Sequence, residues 1–330
     1  MMELLSVVVP VFCEEGGLAE FYDRTTAALE AIAPRVDHEV VFVDDGSTDG
    51  SLKIMRDLAL HDDRVRVVEL SRNFGHQAAI TSGIDHARGD AVVMIDADLQ
   101  DPPEVIADMV SRWRDGYRVV YGVRRARAGE TRFKRFTAAG YYRLLRRLSD
   151  TPIPVDSGDF RLLDRRVVEA LSGLREESRY LRGLVSWVGF SQCGVEYDRD
   201  IRCAGDSKYT TARMLRLAVD GITSFSARPL RLSIQIGVLT TTCSLAMAAW
   251  VVGGKILWPQ NSIPGYTTLM LAVLFLGGVQ LLSLGVVGEY LARTYRESKR
   301  RPLYIVADRL NFEDRSSEAC TPRRTGSVAI

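Results

Sequence analysis

The sequence lacks the features that mark several large protein classes. Its five cysteines are far apart and form no C-x-x-C pair, which argues against a disulfide framework or a zinc site and favours reduced thiols in the cytoplasm. No G-x-G-x-x-G run follows the first apolar strand, and there is no G-x-x-x-x-G-K-[ST] loop. A dinucleotide fingerprint and a P-loop are therefore excluded. Residues 1–10 lead directly into a strand and do not resemble a signal peptide.

Charge is absent from two long stretches in the C-terminal third, residues 233–252 and 266–288. Each is long enough to cross a bilayer with a hydrocarbon core of ~30 Å, so we predict two transmembrane helices. Their connector, residues 259–265, has no Lys or Arg, whereas basic residues flank the outer ends of the pair. The positive-inside rule then predicts a multi-pass protein of the inner (plasma) membrane, with the N-terminal region and both termini cytoplasmic.

Apolar runs alternate with helical patterns in the first 125 residues. Runs rich in β-branched residues occupy positions 4–10, 39–44, 65–70, 91–95 and 117–121, and amphipathic segments separate them. This alternation predicts an α/β fold with a mostly parallel sheet and helices on both faces. In such sheets ligands bind at the carboxyl ends of the strands.

Acidic residues follow the fourth run at that edge. Asp96 and Asp98 are one residue apart, so both contact one cation only if the chain turns there, and we assign the turn to Pro102 and Pro103. Two carboxylates with Gln100 as a further oxygen ligand suit Mg²⁺ or Mn²⁺ completed by substrate phosphates. Alternative interpretations are a phosphatase Asp-x-Asp pair, which would want Thr or Val in place of Gln100, and, for Asp101, an ordinary helix N-cap.

A second acidic strand end lies at Asp44 and Asp45. Carboxylates accept hydrogen bonds from a base imide and from sugar hydroxyls. We therefore predict that these acids hydrogen-bond the base and ribose of a nucleotide whose diphosphate is coordinated by the metal. Turn and cap chemistry is the alternative for Asp45 and for Asp49.

The ordered motifs resemble those of family 2 glycosyltransferases with a GT-A fold. They are Pro10-Val-Phe-Cys-Glu14, Val43-Asp-Asp-Gly-Ser-Thr-Asp49, Arg72-Asn-Phe-Gly75, Asp96-Ala-Asp-Leu-Gln100 and Gly158-Asp-Phe-Arg161. The closer resemblance is to the polyprenyl-phosphate glycosyltransferases, which include GtrB-like enzymes and dolichol-phosphate mannose synthases. It implies inverting, metal-dependent transfer of one sugar from a nucleotide-diphosphate sugar to polyprenyl (undecaprenyl) phosphate. UDP-glucose is the favoured donor, and GDP-mannose or a modified pentose is the alternative.

The same resemblance implies roles for individual residues. Pro10, Phe12, Glu14 and Asp44 would contact the nucleotide; Asp96, Asp98 and Gln100 would hold the metal; Arg124 would reach the diphosphate. Cys13 stands where the family usually has Asn. A homo-oligomer, as a tetramer, is also implied.

Basic residues interleaved with apolar ones predict the acceptor side. Residues 124–147 contain nine Arg or Lys and one acid among aromatic residues. An interfacial helix over membrane lipids, or a subunit contact, fits this pattern better than nucleic-acid binding; a solvated face is the alternative. A second amphipathic segment, residues 207–231, supplies Lys208 and Arg213 as candidates to bind the lipid phosphate.

Two residues of the Gly158–Arg161 motif are candidates for the chemistry. Asp159 is a general base or an orienting group, and Arg161 is a phosphate or carboxylate partner. We favour orientation, because a phosphomonoester with a second pKa near ~6 is largely dianionic at neutral pH and needs no base. We interpret His76 and His86 as ordinary surface or core histidines.

These patterns divide the chain into four parts. They are a GT-A catalytic domain (1–206), an amphipathic juxtamembrane segment (207–231), a two-helix transmembrane hairpin (232–292) and a cytoplasmic C-terminal arm with a disordered tail (293–330). Two other functions remain open: a processive polysaccharide synthase, although the chain has no Q-x-x-R-W signature, and a catalytically silent membrane scaffold.

Overall fold

The computed structural model describes residues 3–32, 36–125, 157–177, 179–198, 228–257 and 265–312. These residues form an eight-stranded sheet in the order β7-β5-β6-β4-β1-β2-β3-β8. Only β6 and β8 run antiparallel to their neighbours in it, so the predicted α/β fold with a mostly parallel sheet is confirmed. The strands are β1 (Glu3–Val11), β2 (Val36–Asp44), β3 (Val65–Leu70), β4 (Ala91–Met94), β5 (Val119–Arg124), β6 (Ser157–Asp164), β7 (Gln192–Tyr197) and β8 (Val306–Leu310).

Helices cover both faces of the sheet because successive side chains of a strand point to opposite sides. In β1, Val7 and Val9 face one apolar core, which includes Phe21 and Met55, whereas Val8 faces the other. The described helices are α1 (Leu18–Ile32), α2 (Ser51–His61), α3 (His76–His86), α4 (Ile106–Arg114), α5 (Arg165–Ser172), α6 (Leu181–Trp187), α7 (Arg228–Leu257) and α8 (Tyr266–Ser298). The first core is covered by α1, α2 and α4, and the second by α3, α5 and α6.

The helix α3 packs very closely on the sheet, and this closeness depends on Gly83. A Cβ atom at this position would overlap the side chain of Val8 and press on that of Val43. With no side chain there, α3 lies directly on β1 and β2. Its N-terminal residue, His76, is thereby held at the carboxyl edge of the sheet.

A group of polar and charged residues lies at the opposite, amino edge of the sheet, and we call it the amino-end cluster: Ser6, Glu39, Arg66 and Arg88. The first three are buried, and Arg88 is exposed. Glu39 Oε1 accepts hydrogen bonds from Ser6 Oγ at 2.6 Å and from the Arg88 N–H at 2.7 Å. Glu39 Oε2 lies 3.1 Å from Arg66 Nε and 3.3 Å from Arg88 Nε. The Arg66 guanidinium also stacks on Phe312 at 5.0 Å. Both oxygens of this carboxylate are therefore satisfied within the protein.

Two long helices, α7 and α8, contact each other in the C-terminal third. Within the described residues, the segment Phe275–Ser298 is long and apolar enough to cross a membrane, and none of its 18 most apolar consecutive residues is buried. It overlaps the predicted span at residues 266–288. The apolar stretch of α7, Ser233–Met247, is shorter. One candidate span is thus present where two were predicted, and the first predicted span is not confirmed.

The chain returns from α8 to the catalytic sheet. Strand β8 pairs antiparallel with β3, and Tyr304 Oη donates a hydrogen bond to Asp85 of α3 at 2.7 Å. The predicted boundary at residue 206 separates this strand from the sheet of which it is part. The predicted basic helix beyond Arg125, the juxtamembrane segment before Arg228 and the tail from residue 313 lie outside the described residues.

Candidate active site

Acidic residues gather where the parallel strands end. β1 pairs with β2 on one side and with β4 on the other, and Asp44 lies opposite Val11 at the end of β2. Asp96 follows the end of β4. The sheet therefore brings Asp44 and Asp96 to the two sides of β1, at the edge where the sequence predicted a ligand site.

The chain turns directly after Asp96, within the acidic motif itself. Leu99 is buried and has φ +56°, in the left-handed region that non-glycine residues rarely adopt. This conformation allows Asp98 Oδ1 to accept the N–H of Gln100 at 3.1 Å. The turn was predicted at Pro102 and Pro103, but the chain already turns at residues 97–98, before the two prolines.

The surroundings of Asp96 disfavour the ionised form of its carboxyl group. Its burial in the cleft, together with the negative charges of Asp159, Asp101 and Asp98, raises its pKa to about 6, although His76 opposes the shift. A bound cation would reverse this effect by favouring the ionised form.

The donor set suits a divalent cation that shares its coordination with phosphate. The described residues contain no group of three His, Cys, Asp or Glu side chains arranged to hold a metal. The predicted set has two carboxylates and one amide, from Asp96, Asp98 and Gln100, and such a set leaves several positions for phosphate oxygens and water. Their role as ligands stays a prediction.

Asp101 contacts strand β7 through Tyr197. The 3₁₀ turn Pro103–Val105 has no side-chain cap, and Asp101 is buried, where it accepts a hydrogen bond from Tyr197 Oη at 2.5 Å. Arg124 completes the group, with Nη2 3.5 Å from Asp101 Oδ2 and Nε 3.2 Å from Tyr197 Oη. A Cβ atom added to Gly158 would lie 2.8 Å from Arg124 Nη2. The glycine thus makes room for the predicted diphosphate-binding guanidinium beside the acceptor motif.

Strand β6 brings the acceptor motif to the acidic edge. It lies antiparallel between β4 and β5, with Arg161 opposite Met94. Two residues further along this register, Asp159 comes beside Asp96. The sequence did not predict that the strand that carries Asp159 inserts next to β4.

Arg182 of α6 binds Asp159 in a two-point fork. Its Nε lies 2.7 Å from Oδ1 and its Nη2 3.0 Å from Oδ2. Burial alone would raise the pKa of Asp159, but the hydrogen bonds from His76 and Arg182 and the charges of Arg182 and Arg161 hold it far below the ordinary value. Asp159 is therefore a firmly ionised carboxylate and a weak proton acceptor.

Arg161, the predicted phosphate or carboxylate partner, lies in the protein interior. It is 4% exposed, its Nη2 donates to the carbonyl oxygen of Gly158 at 2.9 Å, and burial lowers its pKa to about 10. Its positive charge acts on Asp159 from the protein side.

His76 lies between the two carboxylates. Its Nε2 is 3.6 Å from Asp96 Oδ1 and 3.4 Å from Asp159 Oδ2. Burial lowers the pKa of the imidazole, but the hydrogen bond to Asp159 and the charges of both aspartates outweigh burial and raise it. Our interpretation of His76 as an ordinary histidine is wrong for this position. Its place directly after the Arg72–Gly75 motif, where a helix begins, was the signal available in the sequence.

Two loops that carry the remaining predicted donor residues are joined by hydrogen bonds. The N–H groups of Cys13 and Glu14 donate to Ser47 Oγ at 3.1 Å and Ser51 Oγ at 3.0 Å. Cys13 has φ +56°, a conformation that Asn tolerates better than most residues. The backbone shape that suits Asn is therefore kept although the side chain differs. Phe12 is 49% exposed beside these contacts, and Pro10 is buried in β1.

Asp44 and Asp45 both hold backbone amides. Asp44 accepts the N–H of Ser47 at 3.2 Å, and Asp45 accepts those of Phe74 and Gly75 at 2.7 and 2.9 Å. For Asp45 these contacts match the turn chemistry considered as an alternative. Asp49 likewise accepts the N–H of Ser51 at the start of α2. Nucleotide contacts by Asp44 and Asp45 stay predictions.

Residues 6–172 match the family model described as glycosyl transferase family 2. The chain belongs to glycosyl transferase family 2. A second match, over residues 228–294, is to the GtrB C-terminal hairpin, and it covers nearly all of α7 and α8.

Relatives of this family 2 glycosyltransferase match it over almost its whole length. The uncharacterized glycosyltransferase YkcC of Bacillus subtilis (strain 168) is 48% identical over 310 residues, covering 94% of this chain and 95% of that protein. The bactoprenol glucosyl transferase of Shigella phage SfV is 42% identical over 302 residues, covering 92% and 97%. The solved structure of the mannosyltransferase PcManGT from Pyrobaculum calidifontis, in complex with GDP-Man and Mn²⁺, is 18% identical, with a TM-score of 0.47 and 88% of each chain covered.

The sequence analysis of the glycosyltransferase missed Arg182, and it placed two candidates where no contact is described. Arg182 lies 23 residues from Asp159 along the chain, on helix α6, whereas Asp159 lies on strand β6. No local sequence pattern therefore links the two residues. Lys208 and Arg213, the predicted ligands of the lipid phosphate, lie outside the described residues.

Proposed function

We propose that this glycosyltransferase transfers a single sugar from a nucleotide-diphosphate sugar to a polyprenyl phosphate. The observation that carries the proposal is the position of His76, whose Nε2 is within 3.6 Å of donor-side Asp96 and 3.4 Å of acceptor-side Asp159. One imidazole separates the two carboxylates, so a donor and an acceptor bound beside them are close enough for direct transfer. The relatives named bactoprenol glucosyl transferases support the acceptor and favour glucose, and hence UDP-glucose.

The donor side consists of the two joined loops and the acidic turn. Pro10, Phe12, Glu14 and Asp44 would contact the base and ribose, and Arg124 would bind the diphosphate. Asp96, Asp98 and Gln100 would hold Mg²⁺ or Mn²⁺, which when bound supplies positive charge to the leaving diphosphate. The raised pKa of Asp96 supports this assignment, because the negative charges of Asp159, Asp101 and Asp98 around it favour the binding of a cation.

The acceptor side needs no proton acceptor. A polyprenyl phosphate is largely dianionic at neutral pH, since its second pKa lies near ~6. Asp159 is ionised far more readily than that phosphate and would take up little of its proton. We infer that Asp159 orients the acceptor site, that the phosphate oxygen attacks the anomeric carbon in line, and that the configuration inverts.

The C-terminal helices would hold this site at the cytoplasmic face of the inner (plasma) membrane. The exposed apolar segment of α8 and the match to the GtrB hairpin support a membrane anchor. A two-span topology with both termini cytoplasmic, phosphate contacts by Lys208 and Arg213, and a tetramer remain parts of the proposal.

The test is transfer of radiolabelled sugar from a panel of UDP- and GDP-sugars to undecaprenyl phosphate in membranes, with Mg²⁺, Mn²⁺ or EDTA. We expect a glycolipid from one donor, formed only with metal and absent in Asp98→Asn. A GDP-mannose product would keep the reaction and change the donor. No product from any donor, with the protein folded, would overturn the proposal in favour of a silent scaffold.

A further inference from the structure

We propose that Arg182 binds the phosphate of the acceptor, and that Asp159 acts by fixing the Arg182 guanidinium. The inference rests on the proposed function, because it names the acceptor subsite of the same reaction. It assigns to a residue of α6 a contact that the sequence assigned to Arg161, Lys208 or Arg213.

The geometry of the pair supports this assignment. Asp159 engages Nε and Nη2 of Arg182 at 2.7 and 3.0 Å, so the plane of the guanidinium is set by two contacts. The Arg182 side chain is 32% exposed, whereas that of Asp159 is 12% exposed. The arginine is therefore the member of the pair that a substrate reaches more readily.

Arg161 is poorly placed for the same contact. It is 4% exposed, and its guanidinium donates to the Gly158 carbonyl within its own strand. Arg124, the other guanidinium near this strand, contacts Asp101 and Tyr197. Among the described residues on the acceptor side, Arg182 thus combines exposure with a fixed orientation.

The charge of the site makes such a cation necessary. The acceptor phosphate brings a charge of about −1.5 to −2 at pH 7, and Asp96, Asp98 and Asp159 are acidic residues at the same edge. A dianion approaching these carboxylates is repelled unless a cation faces it. A guanidinium suits this role, because its planar N–H donors match phosphate oxygens.

The position of Arg182 is fixed relative to the rest of the site. The N–H of Leu181, at the start of α6, donates to Gln77 Oε1 at 3.1 Å. Gln77 follows His76 in α3, so the helix that carries Arg182 is tied to the helix that carries the imidazole. Arg182 and His76 therefore contact Asp159 from two connected helices.

The experiment compares steady-state kinetics of full-length wild type, Arg182→Lys and Arg182→Gln in detergent, with UDP-glucose, Mn²⁺ and a short-chain polyprenyl phosphate. In Arg182→Gln we expect the KM for polyprenyl phosphate to rise roughly 10- to 100-fold, the range for loss of a charge-assisted hydrogen bond, while the KM for the donor changes less than about 2-fold. Arg182→Lys keeps the positive charge but loses the planar pair of N–H donors. Its KM for polyprenyl phosphate should therefore lie between that of the wild type and that of Arg182→Gln.

Arg175→Gln is the matched control. Arg175 binds both carboxylate oxygens of Asp85, with N···O distances of 2.6 and 3.0 Å. This pair lies away from the site, and the Arg175 side chain is partly exposed, as is that of Arg182. We expect its KM for polyprenyl phosphate to equal that of the wild type, with a loss of thermal stability similar to that of Arg182→Gln.

A double-variant cycle tests the role of Asp159. If Asp159 acts through Arg182, Asp159→Asn should raise the KM for polyprenyl phosphate in the wild-type background and change it by less than about 2-fold in Arg182→Gln. Additive effects, an unchanged KM for polyprenyl phosphate in both Arg182 variants, or an acidic pH limb lost in Asp159→Asn would overturn the inference. A wild-type protein that makes no glycolipid would instead overturn the proposed function.

Discussion

The two ends of the parallel sheet bury charge in opposite ways. At the amino end, both oxygens of Glu39 have partners in Ser6, Arg66 and Arg88, and Glu39 and Arg66 are each less than 5% exposed. At the carboxyl end, Asp96 faces three further aspartates and its pKa rises to about 6, while His76 is 44% exposed. The first arrangement is complete within the protein. The second leaves Asp96 among other acidic residues, and a bound cation would relieve their repulsion.

This difference separates stability from activity along the same strands. A closed ionic cluster contributes to folding only while every member is present, because removal of one partner leaves a buried charge unpaired. An open acidic site is costly to the free protein, and its residues are kept for their contacts with substrate. Variants at the amino end should therefore lower the free energy of unfolding, whereas variants at the carboxyl end should lower the rate of sugar transfer.

Removal of Glu39 should have the largest effect on stability. In Glu39→Ala, Arg66 and Arg88 lose their carboxylate and Ser6 its acceptor, so we expect a loss of about 3–5 kcal/mol in the free energy of unfolding. Denaturant unfolding in detergent measures it, with Glu39→Gln as the milder variant. Activity per folded molecule should stay at the wild-type level. A loss of activity per folded molecule would contradict the assignment of the amino end to stability alone.

Removal of the Asp98 charge should have the largest effect on activity. Asp98→Asn should lower glycolipid formation roughly 10²- to 10³-fold, the loss typical for one group that stabilises charge in a transition state. The thermal unfolding temperature without metal should stay equal or rise, because one of several repelling carboxylates has gone. A lower unfolding temperature would show that Asp98 holds the fold together.

The two ends of the sheet also differ in how tightly a glycine is packed. A Cβ at Gly89, in the amino-end region, would lie 2.6–2.7 Å from backbone atoms of Leu4, Ser6 and Ala91, whereas a Cβ at Gly158 would meet the flexible end of Arg124. Gly89→Ala should thus cost about 1–3 kcal/mol of stability. Gly158→Ala should cost under about 0.5 kcal/mol, since only a side chain moves, and should raise the donor KM. Equal losses of stability would contradict this assignment.

Stability should also depend modestly on pH and metal. Because the pKa of Asp96 is raised from an ordinary value of about 4 to about 6, its contribution favours the folded state at low pH and is lost as pH rises through about 6. Mn²⁺ should bind the ionised form, and thermal scans should show about 1 kcal/mol more stabilisation at pH 8 than at pH 5. The difference should vanish in Asp96→Asn; its persistence there would assign it to another group.

The first five strands of the sheet could be predicted from the sequence because their signals are local, whereas β6, β7 and β8 were not predicted. Apolar runs ending in Asp44 and Asp96 placed the acidic edge, and the ordered motifs indicated the family. Contacts between distant elements could not be predicted in this way. The fork between Arg182 and Asp159, the insertion of β6 beside β4 and the left-handed turn at Leu99 depend on tertiary packing, which overrides local preference at functional sites.

The pairing of β8 with β3 has a practical consequence for work with the isolated catalytic region. A fragment that stops before α7 would lose the strand at Val306–Leu310 and the Phe312 ring that stacks on Arg66. Its β3 would then present unpaired N–H and C=O groups to other molecules, an arrangement that promotes aggregation. A water-soluble version should instead join the end of the catalytic region to residues 303–312 through a short polar linker that replaces both long helices.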